Sequence, residues 1–362
     1  RVDTAIEAWM DGLLHSDHRD ELIGAFREKL HNPDLSYESQ DACNVIRPRF
    51  LAAAQARSLA GASRLLLSAI AKAERAIVGN RDRLLEKLGA FNALEHRLLD
   101  IPVRLGRTDV SVRLDATAVA GGWGFFELNG AIPGGIEIVN ELSVLFQESD
   151  LFAQVAGRVP LRAFDLRRAT CASLLAAWRD WGGEGTPTVA LVDWIGDAPL
   201  IGEFRIFTRW MSEIGVDCHL VDPRDLEISG DRLTAQGRAI DVVYRRLTLM
   251  DMLARPAETD ILITTAERGL ACIIDPFQAS VLDRKALFAL LTDPEIDLGL
   301  SAAERENAAR CLPWTRLVRD GAATMPDGST GSLLEWCRRA REGLILKPNH
   351  DLGGHGVPLG WR

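Results

Sequence analysis

Apolar positions recur every three to four residues through the first part of the chain. Leu66, Ile70, Ala73 and Ile77 fall on one side of a helix at the 3.6-residue period. Residues 1 to about 100 read as helical, with Gly79-Asn80 as a stop followed by the N-cap of a new helix. From about residue 105 the pattern changes to strands. The run "TDVSVRLDATAVAGGWGFFELNG" holds two short β-rich segments around Gly121-Gly122, a hairpin signature. Residues 151 to 183 return to helix and stop at Gly182-Gly183. Val189 to Val192 then form a continuous apolar strand, with Asp193 at its C-terminal end. A helical segment at 199 to 214 and two strand-like runs, "GVDCHLV" and "AIDVVYRRL", follow. Strand, helix, strand in this order predicts a small parallel α/β unit, whose ligands bind at the C-terminal strand ends. Asp193 could serve there; a turn or N-cap role is the commoner use of such an aspartate. After residue 255, "GLACIIDP" reads as a buried strand and "DRKALFALL" as the start of a helix. "REGLILKPNHDLGGHGVPLG" reads as a strand running into a glycine-rich loop. The fold class is α/β, cut along the chain into 1–104, 105–185, 186–255 and 256–362.

Composition narrows the partners. The 362 residues are 47% hydrophobic, enough for a sizeable core, with a net charge of −9 and a pI of about 5.4. An acidic chain lacks the basic face of a general nucleic-acid binder. No apolar run reaches membrane-spanning length. The six cysteines form no CxxC pair and read as reduced thiols of a cytoplasmic protein. His15-x-x-His18 lies in "HSDHRDE", polar all round, where a solvated helix end outweighs a metal pair. The first residue is Arg1 rather than Met and the last follows a glycine loop, so the reading expects further chain at both ends. Oligomeric state stays open.

The candidate chemistry begins in the hairpin. Residues i and i+2 of a strand share a face. Glu127 therefore shares a face with Asn129, and Phe126 with Leu128; on the other strand Arg113 goes with Asp115, and Val112 with Leu114. A turn centred on Gly121 sets Asp115 opposite Glu127 and Arg113 opposite Asn129, although a one-residue slip would break that register. Two carboxylates so close repel unless a cation lies between them. Such oxygens suit Mg²⁺, which takes one or two carboxylates and fills its shell with nucleotide phosphates. The arginine would then meet a phosphoryl oxygen. An ordinary solvated ion network on a hairpin face is the equally weighted alternative. The second element is "LILKPNHDLGGHGV". Lys347 ends an apolar run, and the backbone amides of Gly353, Gly354 and Gly356 could cradle phosphates, with His355 on the surface. It matches neither the Walker pattern nor the dinucleotide fingerprint. Of Arg245 and Arg246, at most one reaches a substrate carboxylate, since adjacent side chains diverge; a surface ion pair is the other reading.

Arg113-x-Asp115, twelve residues on to Glu127-x-Asn129, together with "FELNGAIPGG" and "LILKPNHDLGGHGVPLGW", resembles the circularly permuted ATP-grasp family, the group of glutathionylspermidine synthase. "IRPRF", "VVYRRL", "DRKALFALL" and "LPWTR" extend the resemblance from about residue 45 onward. It implies an ATP-grasp-like fold with a helical N-terminal region (1–104), a metal-binding hairpin part (105–185), a Rossmann-like unit (186–255) and a nucleotide-binding part (256–362). It implies that Asp115, Glu127 and Asn129 hold Mg²⁺ and that Arg113 faces the transferring phosphoryl group. Lys285 and Lys347 would contact ATP, with Gly353, Gly354 and Gly356 as the loop over the phosphates. Arg284 stands where the family pattern has Asn, which weakens the assignment of Lys285. A later catalytic arginine and the adenine-binding segment belong beyond Arg362. No nucleophilic-cysteine amidase region is visible, and Cys43 has no base near it in sequence. The implied activity is an ATP-dependent carboxylate–amine ligase working on small-molecule or peptide substrates. A nucleotide-binding scaffold without ligase activity is the rival, and a small-molecule kinase a weaker third reading.

Overall fold

The computed structural model describes residues 2–38, 40–350 and 356–360. The fold is mixed α/β, with helices interspersed among several small sheets. Close packing groups the chain into two units, each assembled from three stretches. One comprises Arg1–Ala53, Ile101–Ser111 and Ile132–Pro276; the other comprises Ala54–Asp100, Val112–Ala131 and Phe277–Arg362.

The first unit is built on a four-stranded parallel sheet in the order Cys272–Ile274, Val242–Arg245, Val189–Val192, Cys218–Val221. The two central strands are buried along their whole length, as a sheet covered on both faces requires. Helix Ile201–Glu213 links two of the strands and packs Phe204, Phe207, Trp210 and Met211 into the core. A second apolar cluster gathers Trp9, Phe26, Phe146 and Leu151 from the N-terminal helices and their neighbours. His15 and His18 pair with Asp11 and Glu21 on an exposed surface, not with each other, as a solvated helix end predicts.

Each strand of the parallel sheet ends on or runs into buried charge: Asp275, Arg245-Arg246, Asp193 and Asp222. The surface ion pair expected for the arginines is not found; both are buried at the end of an interior strand of the sheet. Arg245 donates to the carbonyls of Leu247 and Asp275. Arg246 donates to the Pro133 carbonyl and the Tyr244 hydroxyl at 3.1 and 3.2 Å. Asp193 accepts a hydrogen bond from the Trp194 amide at 2.7 Å, the turn role, and burial pushes its carboxyl up to about 6.

Asp275 is fully buried, and burial pushes it up to about 7 against an ordinary 3.8, although the amides of Ile132 and Ser111 donate to its carboxyl. A raised acid stabilises the fold fully below its unfolded value, and that contribution is lost as pH rises through the folded value. Stability of the wild type should therefore decline between about pH 4 and pH 7 on account of this group. Urea midpoints across that window should fall less steeply for Asp275→Asn; an unchanged slope would remove Asp275 as a cause.

In the second unit the long helix Ala53–Gly79 lays Leu66, Ala69, Ile70, Ala73 and Ile77 against the core, the stripe the periodicity predicts. Phe125 and Leu128 of a hairpin pack on it, together with the buried helix Ala286–Thr292. A capping box between Ser301 and Glu304 starts the helix Ala302–Cys311. Lys72 and Ser68 bond the Glu304 carboxylate at 2.6 and 2.7 Å and hold it down to about 2.

Candidate functional site

The hairpin pairs Arg113–Val119 with Gly122–Asn129 in antiparallel register. Arg113 lies opposite Asn129 and Asp115 opposite Glu127, as expected. The route to that register differs from the expectation. Near the turn the partners are Val119 with Gly122 and Ala116 with Phe125, a two-residue turn at Ala120-Gly121. A register shift between Asp115 and Ala116 leaves Phe126 as an extra residue on the second strand, a β-bulge. Strict alternation put Phe126 on the same face as Leu128. The bulge corrects this: Phe125 is fully buried and Phe126 is 45% exposed.

The polar face carries two ion pairs. Arg113 Nε and Nη2 lie 2.8 and 3.3 Å from the two oxygens of Asp115. Lys285 Nζ lies 2.7 Å from Glu127 Oε1. Asn129 is 8% exposed, and its amide nitrogen has no hydrogen-bond partner among the described residues. Lys347 donates to the Phe126 carbonyl at 3.0 Å, and its ammonium lies 5.7 Å from the Phe126 ring centre. The bulge takes this carbonyl out of regular pairing and gives the lysine an acceptor at the face.

Two residues that carried no sequence signal hold this arrangement. Asp283 Oδ1 accepts from the Gly130 and Ala131 amides at 2.7 and 2.9 Å, tying the chain immediately after Asn129 to the segment bearing Lys285. Gly130 has to be glycine, because a Cβ there would lie 2.2 Å from the Leu282 Cβ. Asn349 accepts from the Lys285 amide through its carbonyl and from the Ala286 amide through its side chain, both at 2.9 Å. It thereby links the Lys347 segment to the Lys285 segment. Such contacts across 63 and 153 positions leave no periodic trace in sequence. Arg284 turns inward instead, pairing with Glu95 and stacking 3.7 Å over the Phe91 ring.

The strand expected to end at Lys347 is reduced to one bridge, Ile345 with Leu359. Ile345 and Leu346 are half exposed, and pairing with residues 358–360 offers too short a partner for a ladder. Gly356 adopts a left-handed φ of 63°, which favours glycine. Gly353, Gly354 and His355, with the loop expected over the phosphates, lie outside the described residues.

Thus Arg113, Asp115, Glu127, Asn129, Lys285 and Lys347 converge in one unit. Among the described residues no group of three or more His, Cys, Asp and Glu side chains is placed to hold a metal. The set here is two carboxylates and a carboxamide. That donor set fits Mg²⁺ when phosphates complete its shell, and the orphan Asn129 donor fits a ligand oxygen.

The fold resembles that of a solved structure. A glutathione synthetase-like effector from Globodera pallida, solved in its apo form, superposes with a TM-score of 0.52 at 12% identity, over 86% of this chain and 69% of that one. At that identity the likeness is one of fold. No protein-family model matches the chain, and no curated protein matches it by sequence. No helix among the described residues is long and apolar enough to cross a membrane.

Proposed function

We propose that the chain is an ATP-dependent carboxylate–amine ligase of the circularly permuted ATP-grasp type. The observation that carries this reading is the shared face of Arg113, Asp115, Glu127 and Asn129, to which Lys285 and Lys347 come from distant segments. The glutathione synthetase-like fold supports it at the level of architecture. Asp115, Glu127 and Asn129 would hold Mg²⁺, which when bound neutralises phosphate charge. Lys285 and Lys347 would bind phosphate oxygens as point charges, and Arg113 would face the transferring phosphoryl group. A substrate carboxylate oxygen attacks the γ-phosphorus and ADP leaves. The amine nitrogen then attacks the acyl carbon, and phosphate leaves as the amide forms. The protein's part is positioning and charge stabilisation. Acid and amine substrates are small molecules or peptides, in a cytoplasmic setting.

The rival, a nucleotide-binding scaffold without turnover, draws support from the pairing of both carboxylates with the chain's own cations. An ADP-release screen of the full-length protein over amino acids, polyamines and peptides separates the two. Release that depends on both an acid and an amine establishes ligation; nucleotide binding with no release under any pair establishes the scaffold. Lys347→Met should weaken binding of Mg²⁺-ATP by about 1.5–3 kcal/mol, the range for a hydrogen bond to a charged group. Calorimetry showing unchanged affinity would remove Lys347 from the nucleotide contacts.

A further inference from the structure

We infer that Arg113 and Lys285 hold the two metal-binding carboxylates in reserve, and that nucleotide phosphates release them. The inference rests on the proposed nucleotide site and concerns how that site is loaded. Asp115 is bound through both oxygens by Arg113, and Glu127 is bound by Lys285 at 2.7 Å. The Lys285 and Glu127 side chains are 16% and 22% exposed, so water screens this pair less than a surface pair. Two acids and two bases sum to zero charge. Lys347, 3.0 Å from the Phe126 carbonyl, adds a further positive charge at this face.

Among the described residues of these two pairs, a lone divalent cation meets no net negative charge. To reach Glu127 it must displace the Lys285 ammonium or sit beside it, and like charges at contact distance repel. A polyphosphate meets the reverse situation. It presents oxygens to Arg113 and Lys285, both good phosphate partners. Once those cations turn to phosphate, Asp115 and Glu127 are left as carboxylates facing a metal. The buried Asn129 amide, lacking an acceptor among the described residues, is the independent sign that a ligand oxygen belongs on this face. Metal and nucleotide therefore assist each other's binding, and Lys285 carries much of the coupling.

The test is made on the full chain with two probes kept apart: Mn²⁺ without nucleotide, followed by the paramagnetic signal of the free ion, and a non-hydrolysable ATP analogue in EDTA, followed by calorimetry. Wild type should bind the analogue alone more tightly than Mn²⁺ alone. Lys285→Met should strengthen Mn²⁺ binding by about tenfold and weaken metal-free analogue binding by a similar factor. The opposite signs are the signature, because general damage to the fold would weaken both. Lys285→Gln replaces the Met variant if that protein does not fold. Analogue binding by wild type, with Mn²⁺ affinity unchanged or lowered in the variant, overturns the exchange and leaves the nucleotide site standing. Wild type that binds neither probe at millimolar concentration overturns the nucleotide site and the exchange with it.

Discussion

Glu127→Ala is expected to lower ATP turnover by about 10²-fold or more, comparable to removing one preorganised charge-stabilising group. Glu127 stands opposite Asp115 on the polar face of the hairpin and is held there by Lys285. Its removal would leave one carboxylate and one carboxamide for the proposed metal and the Lys285 ammonium beside them. The Glu127–Lys285 pair is largely shielded from water, so its loss should cost more than the ~1 kcal/mol of an exposed pair. Folding is therefore measured separately from turnover. A protein that still melts cooperatively, below wild type, alongside collapsed ADP release, is the expected pair of results. Glu127→Gln keeps the shape and removes the charge, so it should fall nearly as far. A folded Glu127→Ala protein with normal turnover would rule out the metal role.

The largest effect on stability is expected from Arg246→Ala, about 3–5 kcal/mol, the cost of stripping the partner from a buried charge. Arg246 is 7% exposed and lies 3.9 Å from Glu203. Its guanidinium also lies 5.4 Å from each of the Phe204 and Tyr244 ring centres. Burial, and then the hydrogen bond to Glu203, push the Glu137 carboxyl well above the usual carboxylate range. Two buried acids thus lie beside one arginine. Without it, the two buried acids lose the cation beside them. Arg246→Lys should recover little, since Nη1 donates to the Pro133 carbonyl and the Tyr244 hydroxyl while Nη2 lies 3.9 Å from Glu203, a spread that one ammonium nitrogen does not cover. Adding Glu203→Gln to Arg246→Met should return part of the loss, because the uncompensated charge goes with it. Urea denaturation measures each; a single Arg246→Ala variant within 1 kcal/mol of wild type would contradict this account.

The helical stripe from Leu66 to Ile77 and the buried strand Val189–Val192 were legible because burial leaves a period, or a solid apolar run, in the sequence. The opposition of Asp115 and Glu127 was legible too, though by compensation. A turn centred on Gly121 and the observed two-residue turn differ by one position, and the bulge at Phe126 restores it. Phe125 and Phe126 are chemically identical, so nothing in the sequence says which is the core residue. Arg245 and Arg246 looked like surface residues because charge is normally solvated; three of their acceptors, the carbonyls of Leu247, Asp275 and Pro133, carry no side-chain signature. Asp283 and Asn349 act through backbone amides far along the chain, and only the folded path brings them there.

The bulge acts as a phase shifter. Had the pairing at the turn continued inward, Phe126 would have faced Asp115 and Leu128 would have faced Arg113, mixing oil and charge on both sides of the ribbon. One inserted residue lets the two halves of the hairpin run out of step while each keeps its own order. The tip is thereby decoupled from the face below it. Ala120 can be exchanged without altering which atoms meet at Glu127, provided the count between Phe126 and Asn129 is kept and Gly121, at a left-handed φ of 84°, stays glycine.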